Sequence, residues 1–293
     1  MNSFGRVLTA MVTPFHRDGS VNYQAAAALA RHLIANGSDG LVVAGSTGEA
    51  ATLDPEEKLH LFAAVADAVG DQATVIAGTG SNDTRASIAL TRQVEKLGVH
   101  GVMLVGPYYN KPTQEGFYQH FKSIAETISL PAIIYNVPGR TASNILPETI
   151  ARLATIPNIV AVKESSGNLD QVGEIIRTTP DSFLVYSGDD SLTLPILSIG
   201  GAGIISVAAH AVGVRMKQMV EAYLAGDTVR ARQVHLELLP FFKAIFITTN
   251  PIPIKTIMRI LGHDVGGFRL PLLEATDKEL VLLQQVMVKL NIR

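Results

Sequence analysis

Eight short apolar runs, spread along the first 206 residues, constrain the fold of this 293-residue chain more than any other feature. None of the runs alternates apolar with polar residues, as a half-exposed strand would. Each is therefore predicted to be a strand buried on both faces, as in a parallel sheet covered by helices. The runs are residues 7–12, 40–43, 74–77, 101–105, 132–135, 159–162, 183–186 and 203–206.

Helical patterns separate these runs, as at residues 23–36, 54–69, 83–97 and 114–128. The start of the second helix has a clear signature, because Asp54, Pro55 and Glu57 supply a capping acid, a first-turn proline and an acid three residues after the cap. Eight such units, ending near residue 225, predict an α/β fold, a (β/α)8 TIM barrel, which typically needs about 250 residues. A doubly wound open sheet fits less well, since no G-x-G-x-x-G motif follows the first strand.

The strand signal stops after residue 225, and residues 228–243, 254–261 and 277–290 have helical patterns. We therefore predict a catalytic barrel at residues 1–225 and a C-terminal helical region at residues 226–293. The second region is too short and too helical to be a separate catalytic domain.

The charge balance indicates which partners to expect. The chain has 24 Lys and Arg against 26 Asp and Glu, a net charge of −2. No block of like charges occurs, which argues against nucleic acid or an anionic membrane as the main partner. No apolar run approaches the roughly 20 residues needed to span a bilayer, and residues 1–12 do not resemble a signal peptide. A cytoplasmic location is expected.

Composition also limits the chemistry. The absence of cysteine excludes disulfides, thiolate nucleophiles and zinc–thiolate sites. The eight histidines form no H-x-H or H-x-x-E-H group. We therefore expect no catalytic metal.

Two residues at the ends of neighbouring strands suggest covalent carbonyl chemistry. In barrels the active site lies at the carboxyl ends of the strands. Lys163 directly follows the sixth run, and a buried neutral amine is a nucleophile toward ketones. Tyr135 ends the fifth run, where its phenol could carry a proton beside Lys163. Alternatively, Lys163 extends out at the barrel rim and Tyr135 only packs its ring in the core.

Two loops could bind anions. The turn Gly45-Ser46-Thr47-Gly48 offers backbone amides and two hydroxyls, which suit a carboxylate or a phosphate. Arg140 could hold a second carboxylate with its planar guanidinium group. An ordinary turn and a solvated arginine are the simpler interpretations. A phosphate-binding isomerase is less favoured, because the glycine cluster at residues 200–203 precedes the eighth strand rather than following it.

Several motifs, taken in order, resemble the N-acetylneuraminate lyase superfamily and, within it, the dihydrodipicolinate synthase family. The similarity covers nearly the whole chain, and the ordered set is specific although each piece alone is not. The motifs are residues 9–15, 45–49, 78–80, 107–110, 135–141, 162–164, 187–190 and 250–255.

The resemblance implies a Schiff-base mechanism that uses no cofactor. Lys163 would form an imine with pyruvate, and the derived enamine would attack the aldehyde of L-aspartate-4-semialdehyde. The product would be 4-hydroxy-tetrahydrodipicolinate, formed in the first committed step of diaminopimelate and lysine biosynthesis. By the same resemblance, Tyr135, Ser46 and Tyr109 would form a proton relay. Tyr109 would reach into the site of a neighbouring subunit, so a homo-oligomer, usually a dimer of dimers, is implied.

Four further residues match substrate-binding positions of the family. Thr47 and the main chain of Ile205 would hold pyruvate, Gly188 would contact the second substrate, and Arg140 would bind the carboxylate of the semialdehyde.

One residue departs from the synthase pattern and keeps an alternative open. The synthases usually have two threonines where this chain has Ser46-Thr47, a pair also found in sialic acid lyases. Serine keeps the hydroxyl but loses a methyl group, so the relay survives. A sister aldolase acting on N-acetylneuraminate or 2-keto-3-deoxygluconate is the alternative, whereas Arg140 favours the synthase. A non-catalytic barrel that only binds a keto acid is disfavoured, because the reactive residues are all present.

The resemblance also implies a regulatory pocket for lysine near the relay tyrosine. Strongly inhibited relatives have a histidine where this chain has Lys58, and a glutamate where it has Ala86. Both changes oppose a cationic ligand, so weak lysine inhibition is expected unless Glu49, Glu57 or Asp83 compensates. The matching pocket residues are Ala51, Pro55, Lys58, Asn82, Ala86 and Tyr108.

Overall fold

The computed structural model describes residues 4–293 and contains a closed barrel of eight parallel strands that follow one another in chain order. Each strand pairs with its sequence neighbours, and β8 closes the barrel against β1. The predicted (β/α)8 barrel is confirmed. The strands are β1 (Val7–Ala10), β2 (Gly40–Val43), β3 (Thr74–Gly78), β4 (Gly101–Val105), β5 (Ala132–Asn136), β6 (Ile159–Glu164), β7 (Leu184–Ser187) and β8 (Gly203–Ser206).

Helices connect the strands and surround the barrel. They are α1 (Tyr23–Ala35), α2 (Pro55–Val69), α3 (Thr84–Val94), α4 (Gln114–Ala125), α5 (Pro138–Thr141), α6 (Pro147–Leu153), α7 (Leu169–Thr178), α8 (Thr193–Ser198) and α9 (Ala209–Leu224). The predicted start of α2 is confirmed: Asp54 accepts a hydrogen bond from the Glu57 amide at 2.8 Å, and the Glu57 side chain accepts from the Asp54 amide at 3.1 Å. Such a capping box satisfies amides that would otherwise lack partners.

Some boundaries differ from those predicted. The first strand stops at Ala10 rather than at residue 12, because the Val12 amide donates to Nε2 of His210 instead of to a neighbouring strand. The sixth strand continues to Glu164, and Lys163 is therefore part of the sheet rather than of the following loop.

The barrel interior follows from the alternation of side chains along each strand. One set of alternate residues fills the space inside the barrel, including Leu8, Ile133, Ala161 and Ile205. Lys163 lies two residues beyond Ala161 on the same strand. Its side chain therefore projects on the inner side, above the apolar interior and toward the carboxyl ends of the strands.

The C-terminal region forms three helices, α10 (Thr228–Ala244), α11 (Ile252–Ile260) and α12 (Asp277–Lys289). Residues 252–258 of α11 are all buried, so this helix is packed within the molecule rather than lying on its surface. The proposed boundary between residues 225 and 226 stays a prediction. None of the helices in residues 4–293 has the length and apolarity needed to cross a membrane.

Candidate active site

Lys163 and Tyr135 lie side by side at the carboxyl ends of β6 and β5. The two residues are direct partners in the strand register. The Lys163 Nζ is 4.2 Å from the centre of the Tyr135 ring. Both side chains are 5% exposed, so a small carbonyl compound bound here would be largely shielded from water.

The amine of Lys163 has no carboxylate partner, unlike that of the other buried lysine. Lys255 forms an ion pair of 2.8 Å with Glu49, and both side chains are almost fully buried. Burial lowers the pKa of Lys255 to about 8, while the Glu49 carboxylate acts in the opposite direction. Within residues 4–293, Lys163 takes part in no ion pair or hydrogen bond of its side chain. Its amine can therefore react without first displacing a partner.

The hydroxyl groups of two predicted relay residues are also without partners. In the part of the chain that the structure describes, neither the Tyr135 phenol nor the Ser46 hydroxyl makes a hydrogen bond. Such groups remain available to exchange protons with a ligand. The Thr47 hydroxyl differs, since it accepts a hydrogen bond of 2.9 Å from Nδ2 of Asn250. Its own proton is still available to a bound carboxylate.

Gly188 lies directly against the lysine. A Cβ atom at this position would overlap Ser165 Oγ and lie 2.9 Å from Cε of Lys163. Real Cβ atoms essentially never come so close. A side chain at residue 188 would therefore push the Ser165 and Lys163 side chains aside, whereas glycine leaves Lys163 its position.

Ile205 lies on β8, where its side chain is fully buried in the barrel interior and its backbone pairs with Leu8 of β1. The end of β8 is held by Asp190, whose carboxylate accepts hydrogen bonds from the Ser206 hydroxyl at 2.5 Å and from the Ala208 amide at 3.0 Å. Burial raises the pKa of Asp190 to about 6. The Asp190 carboxyl group therefore orders the backbone that follows Ile205.

The rim of the site carries Arg140 and Tyr109. Arg140, in α5, donates a hydrogen bond of 3.1 Å to the main-chain oxygen of Asn250. Tyr109 is 89% exposed and has a φ of 72°, in the left-handed region. Large side chains seldom adopt that conformation, and such strain is concentrated at functional positions.

A cavity of about 300 Å³ joins the rim to the candidate regulatory residues. Ser46, Arg140, Ala51, Lys58 and Tyr108 all line it. The other three regulatory candidates do not line this cavity. Pro55 is the first residue of α2, Ala86 lies in the first turn of α3, and the main-chain oxygen of Asn82 accepts a hydrogen bond of 2.9 Å from Asn110.

The C-terminal region also contributes contacts to the site. These were not predicted, because site residues were sought only at the carboxyl ends of the strands. Asn250 joins the loop after β2 to Arg140, and Lys255 joins the same loop through Glu49. The sequence signal was present in the motif at residues 250–255, but it lies far from any strand end.

Across residues 4–293, no three or more His, Asp or Glu side chains are grouped so that they could hold a metal ion.

Comparison with known proteins agrees with the resemblance noted in the sequence. Residues 3–290 match the model of the Dihydrodipicolinate synthetase family. The chain is 57% identical to the 4-hydroxy-tetrahydrodipicolinate synthase of Desulforamulus reducens over 290 residues, which cover 99% of this chain and 98% of that protein. It is 53% identical to the enzyme of the same name from a Cyanothece strain, with both chains fully covered.

Solved structures show the same relationship. The dihydrodipicolinate synthase of Bacillus anthracis superposes with a TM-score of 0.96 at 48% identity, covering 98% of this chain and 99% of that chain. The enzyme from Cyanidioschyzon merolae, solved with lysine bound, superposes with a TM-score of 0.97 at 47% identity, covering 99% of each chain. The chain therefore belongs to the dihydrodipicolinate synthase family.

Proposed function

We propose that this protein condenses pyruvate with L-aspartate-4-semialdehyde to give 4-hydroxy-tetrahydrodipicolinate, in the pathway to diaminopimelate and lysine. The observation that carries the proposal is the unpaired, buried amine of Lys163 beside the phenol of Tyr135. The names of relatives that are more than half identical over nearly the full chain support the substrates.

The chemistry starts at the Lys163 amine. The amine adds to the C2 ketone of pyruvate, and loss of water gives an imine on Lys163. Loss of a proton from the pyruvate methyl group converts the imine to an enamine, whose carbon attacks the aldehyde of the second substrate. The amino group of that substrate then displaces Lys163 by transimination, which closes the ring and frees the enzyme.

The remaining roles are assigned by position. The Tyr135 and Ser46 hydroxyls, which have no partners in residues 4–293, would carry the protons of imine formation and of aldehyde addition. The Thr47 hydroxyl and the Ile205 main chain would hold the pyruvate carboxylate. Gly188 would leave room for the second substrate beside Lys163.

Tyr109 would complete the relay from a neighbouring subunit. Its high exposure and strained backbone support this assignment, because an isolated chain gains nothing from holding a tyrosine in that state. We propose a homo-oligomer, as a dimer of dimers, in which this residue is buried by its neighbour. The cytoplasmic location expected from the sequence stays a prediction.

A product assay tests the proposed function. The protein is incubated with pyruvate and L-aspartate-4-semialdehyde, and in parallel with pyruvate and N-acetylmannosamine. We expect the heterocyclic product in the first reaction and no sialic acid in the second. Condensation with the sugar alone would instead establish the sister aldolase.

Arg140→Ala should impair the reaction with the semialdehyde much more than the reaction with pyruvate. Arg140 lines the cavity and is expected to bind the carboxylate of the semialdehyde by charge-assisted hydrogen bonds. Losing such a contact should reduce the stabilisation of the transition state by about 1.5–3 kcal/mol, which lowers kcat/KM roughly 10- to 100-fold. The effect is expected for the semialdehyde in steady-state kinetics, while the rate of imine formation with pyruvate is nearly unchanged. An equal loss for both substrates would show that Arg140 has another role.

We also propose that the wall of the cavity around Lys58 corresponds to the lysine pocket of inhibited relatives and binds lysine poorly. Burial lowers the pKa of Lys58, and Asp54 opposes this shift. The acids along this segment have other partners. Glu49 pairs with Lys255, Glu57 accepts a hydrogen bond of 2.8 Å from Arg269, and Asp83 caps α3. Each of the three acids is therefore already engaged by a partner within the chain, and Asp83 meets the Ala86 amide itself at 3.2 Å.

Free L-lysine is therefore expected to inhibit this enzyme weakly or not at all. Loss of one partly buried ammonium–carboxylate contact costs about 2 kcal/mol or more. Affinity should fall by more than about tenfold relative to sensitive relatives, at about 1.4 kcal/mol per tenfold. Initial rates across a lysine titration measure the effect. The variant Lys58→His with Ala86→Glu should gain sensitivity, whereas half-inhibition of the unaltered enzyme below the millimolar range would contradict the charge argument.

A further inference from the structure

The substrate loop, residues 45–49, is held from three directions. The Thr13 hydroxyl donates a hydrogen bond of 2.6 Å to the Gly48 main-chain oxygen. Asn250 donates to the Thr47 hydroxyl at 2.9 Å, and Lys255 Nζ lies 2.8 Å from a carboxylate oxygen of Glu49. Two of these three contacts come from the C-terminal region, more than 200 residues away in the chain.

The ion pair between Lys255 and Glu49 is fully buried and fixed by further contacts. Lys255 has 0% and Glu49 1% side-chain exposure, so water cannot replace either partner. The second carboxylate oxygen of Glu49 accepts a hydrogen bond of 3.2 Å from the Arg269 amide. The Lys255 Nζ is also 4.2 Å from the centre of the Phe15 ring. A buried charge pair of this kind specifies one arrangement because either charge alone would be strongly disfavoured.

The backbone at Glu49 explains why such a contact is needed. Its φ is 55°, in the left-handed region that residues other than glycine seldom adopt. A strained residue keeps this conformation only where its surroundings impose it. The same residue stands two positions after Thr47, so a change at Glu49 would move the Thr47 hydroxyl and the amides of the loop.

We infer that Lys255 is a positioning residue for pyruvate. Its buried ion pair with Glu49 holds the substrate loop in the conformation that receives the pyruvate carboxylate. This inference rests on the proposed function. Lys255 itself does not touch the reacting atoms, which lie at Lys163 and Tyr135 on β6 and β5.

The predicted signature is a change in the pyruvate KM that is larger than the change in kcat. Lys163 and Tyr135 belong to other strands and keep their positions when the loop relaxes. Ser46, a member of the proposed relay, lies in the loop and moves with it, so kcat should also fall, but by less than the pyruvate KM rises. Misplacement of binding groups by about 1 Å commonly costs up to roughly 100-fold in rate at low substrate. The semialdehyde contacts the rim and should be affected much less.

Lys255→Met is the direct test, with both KM values and kcat measured by initial rates. We expect the pyruvate KM to rise on the order of 10- to 100-fold, while kcat falls by less than about tenfold and the semialdehyde KM stays within about threefold of the unaltered enzyme. The double variant Glu49→Gln with Lys255→Met removes both charges of the pair. It avoids an unpaired buried carboxylate and should fold even if the single variant does not.

A matched control lies at the other end of β2. Lys217 pairs with Asp39 at 2.9 Å, directly before that strand, whereas Glu49 follows it. Lys217→Met also removes a lysine–carboxylate pair, but it should leave the pyruvate KM unchanged. An unchanged pyruvate KM in both Lys255 variants, or an equal fall in kcat without a change in KM, would overturn the positioning role.

Failure of the proposed function has a different signature. If borohydride traps no pyruvate adduct on the unaltered enzyme, then the function itself is wrong and the inference falls with it. If the adduct forms normally and the Lys255 variants bind pyruvate normally, only the positioning role is wrong.

Discussion

Lys163→Ala is expected to lose both the pyruvate adduct and nearly all turnover. Sodium borohydride added with pyruvate should reduce the imine and leave a stable modification on Lys163 in the unaltered enzyme. Alanine has no amine, so neither the imine nor the enamine can form. We expect kcat to fall by roughly three orders of magnitude or more, since removal of a covalent nucleophile disables every later step.

The contrast between the two buried lysines makes this experiment specific. Lys255 is even more deeply buried than Lys163, at 0% against 5% exposed, and it is paired with Glu49. Peptide mass spectrometry should therefore find the reduced adduct on Lys163 and leave Lys255 unmodified. An adduct on any other lysine, or full activity in Lys163→Ala, would contradict the mechanism.

Tyr135→Phe should lower kcat by about 10²- to 10⁴-fold, the usual contribution of a positioned proton donor or acceptor. Phenylalanine keeps the ring that lies 4.2 Å from the Lys163 amine and removes only the hydroxyl. The hydroxyl makes no hydrogen bond within residues 4–293, so little folding stability should be lost with it. Rapid-quench borohydride trapping should show slower imine formation at the same final adduct yield.

Tyr186→Phe is the matched control for this variant. Tyr186 is also buried in the barrel and pairs with Lys163 in the strand register, but its hydroxyl donates a hydrogen bond of 2.9 Å to the Gly5 main-chain oxygen. Loss of this hydrogen bond should lower the free energy of unfolding by about 0.5–1.5 kcal/mol. Turnover should be nearly unchanged. A variant Tyr135→Phe that retained full kcat would remove this residue from the relay.

The barrel could be predicted from the sequence because its strands carry a local signal. Parallel strands under helices are buried on both faces, so each appears as an uninterrupted apolar run. The start of α2 could also be predicted, since the residues of its capping box lie within four positions of one another. The end of β1 could not be predicted, because it depends on a hydrogen bond between Val12 and His210, which are 198 positions apart in the chain.

The candidate site, like the fold, could be predicted from the sequence only in part. Lys163, Tyr135 and the turn at Ser46 could be found in the sequence, because barrels place function at strand ends and these polar groups follow apolar runs. Their roles stay predictions until the variants are measured. Asn250, Glu49 and Lys255 could not be assigned by that rule, because their side chains meet only after the C-terminal region packs over the barrel.

The sequence by itself determined the fold class, the order of strands and helices, and the residue types available at each strand end. These properties depend on neighbours within a few positions, where side-chain periodicity and capping act. Only the tertiary structure decided that Tyr135 and Lys163 are register partners, and that Lys255 is paired while Lys163 is not. Register and ion pairing depend on how the barrel closes and on which distant groups share one buried space, and no short-range pattern in the chain records either.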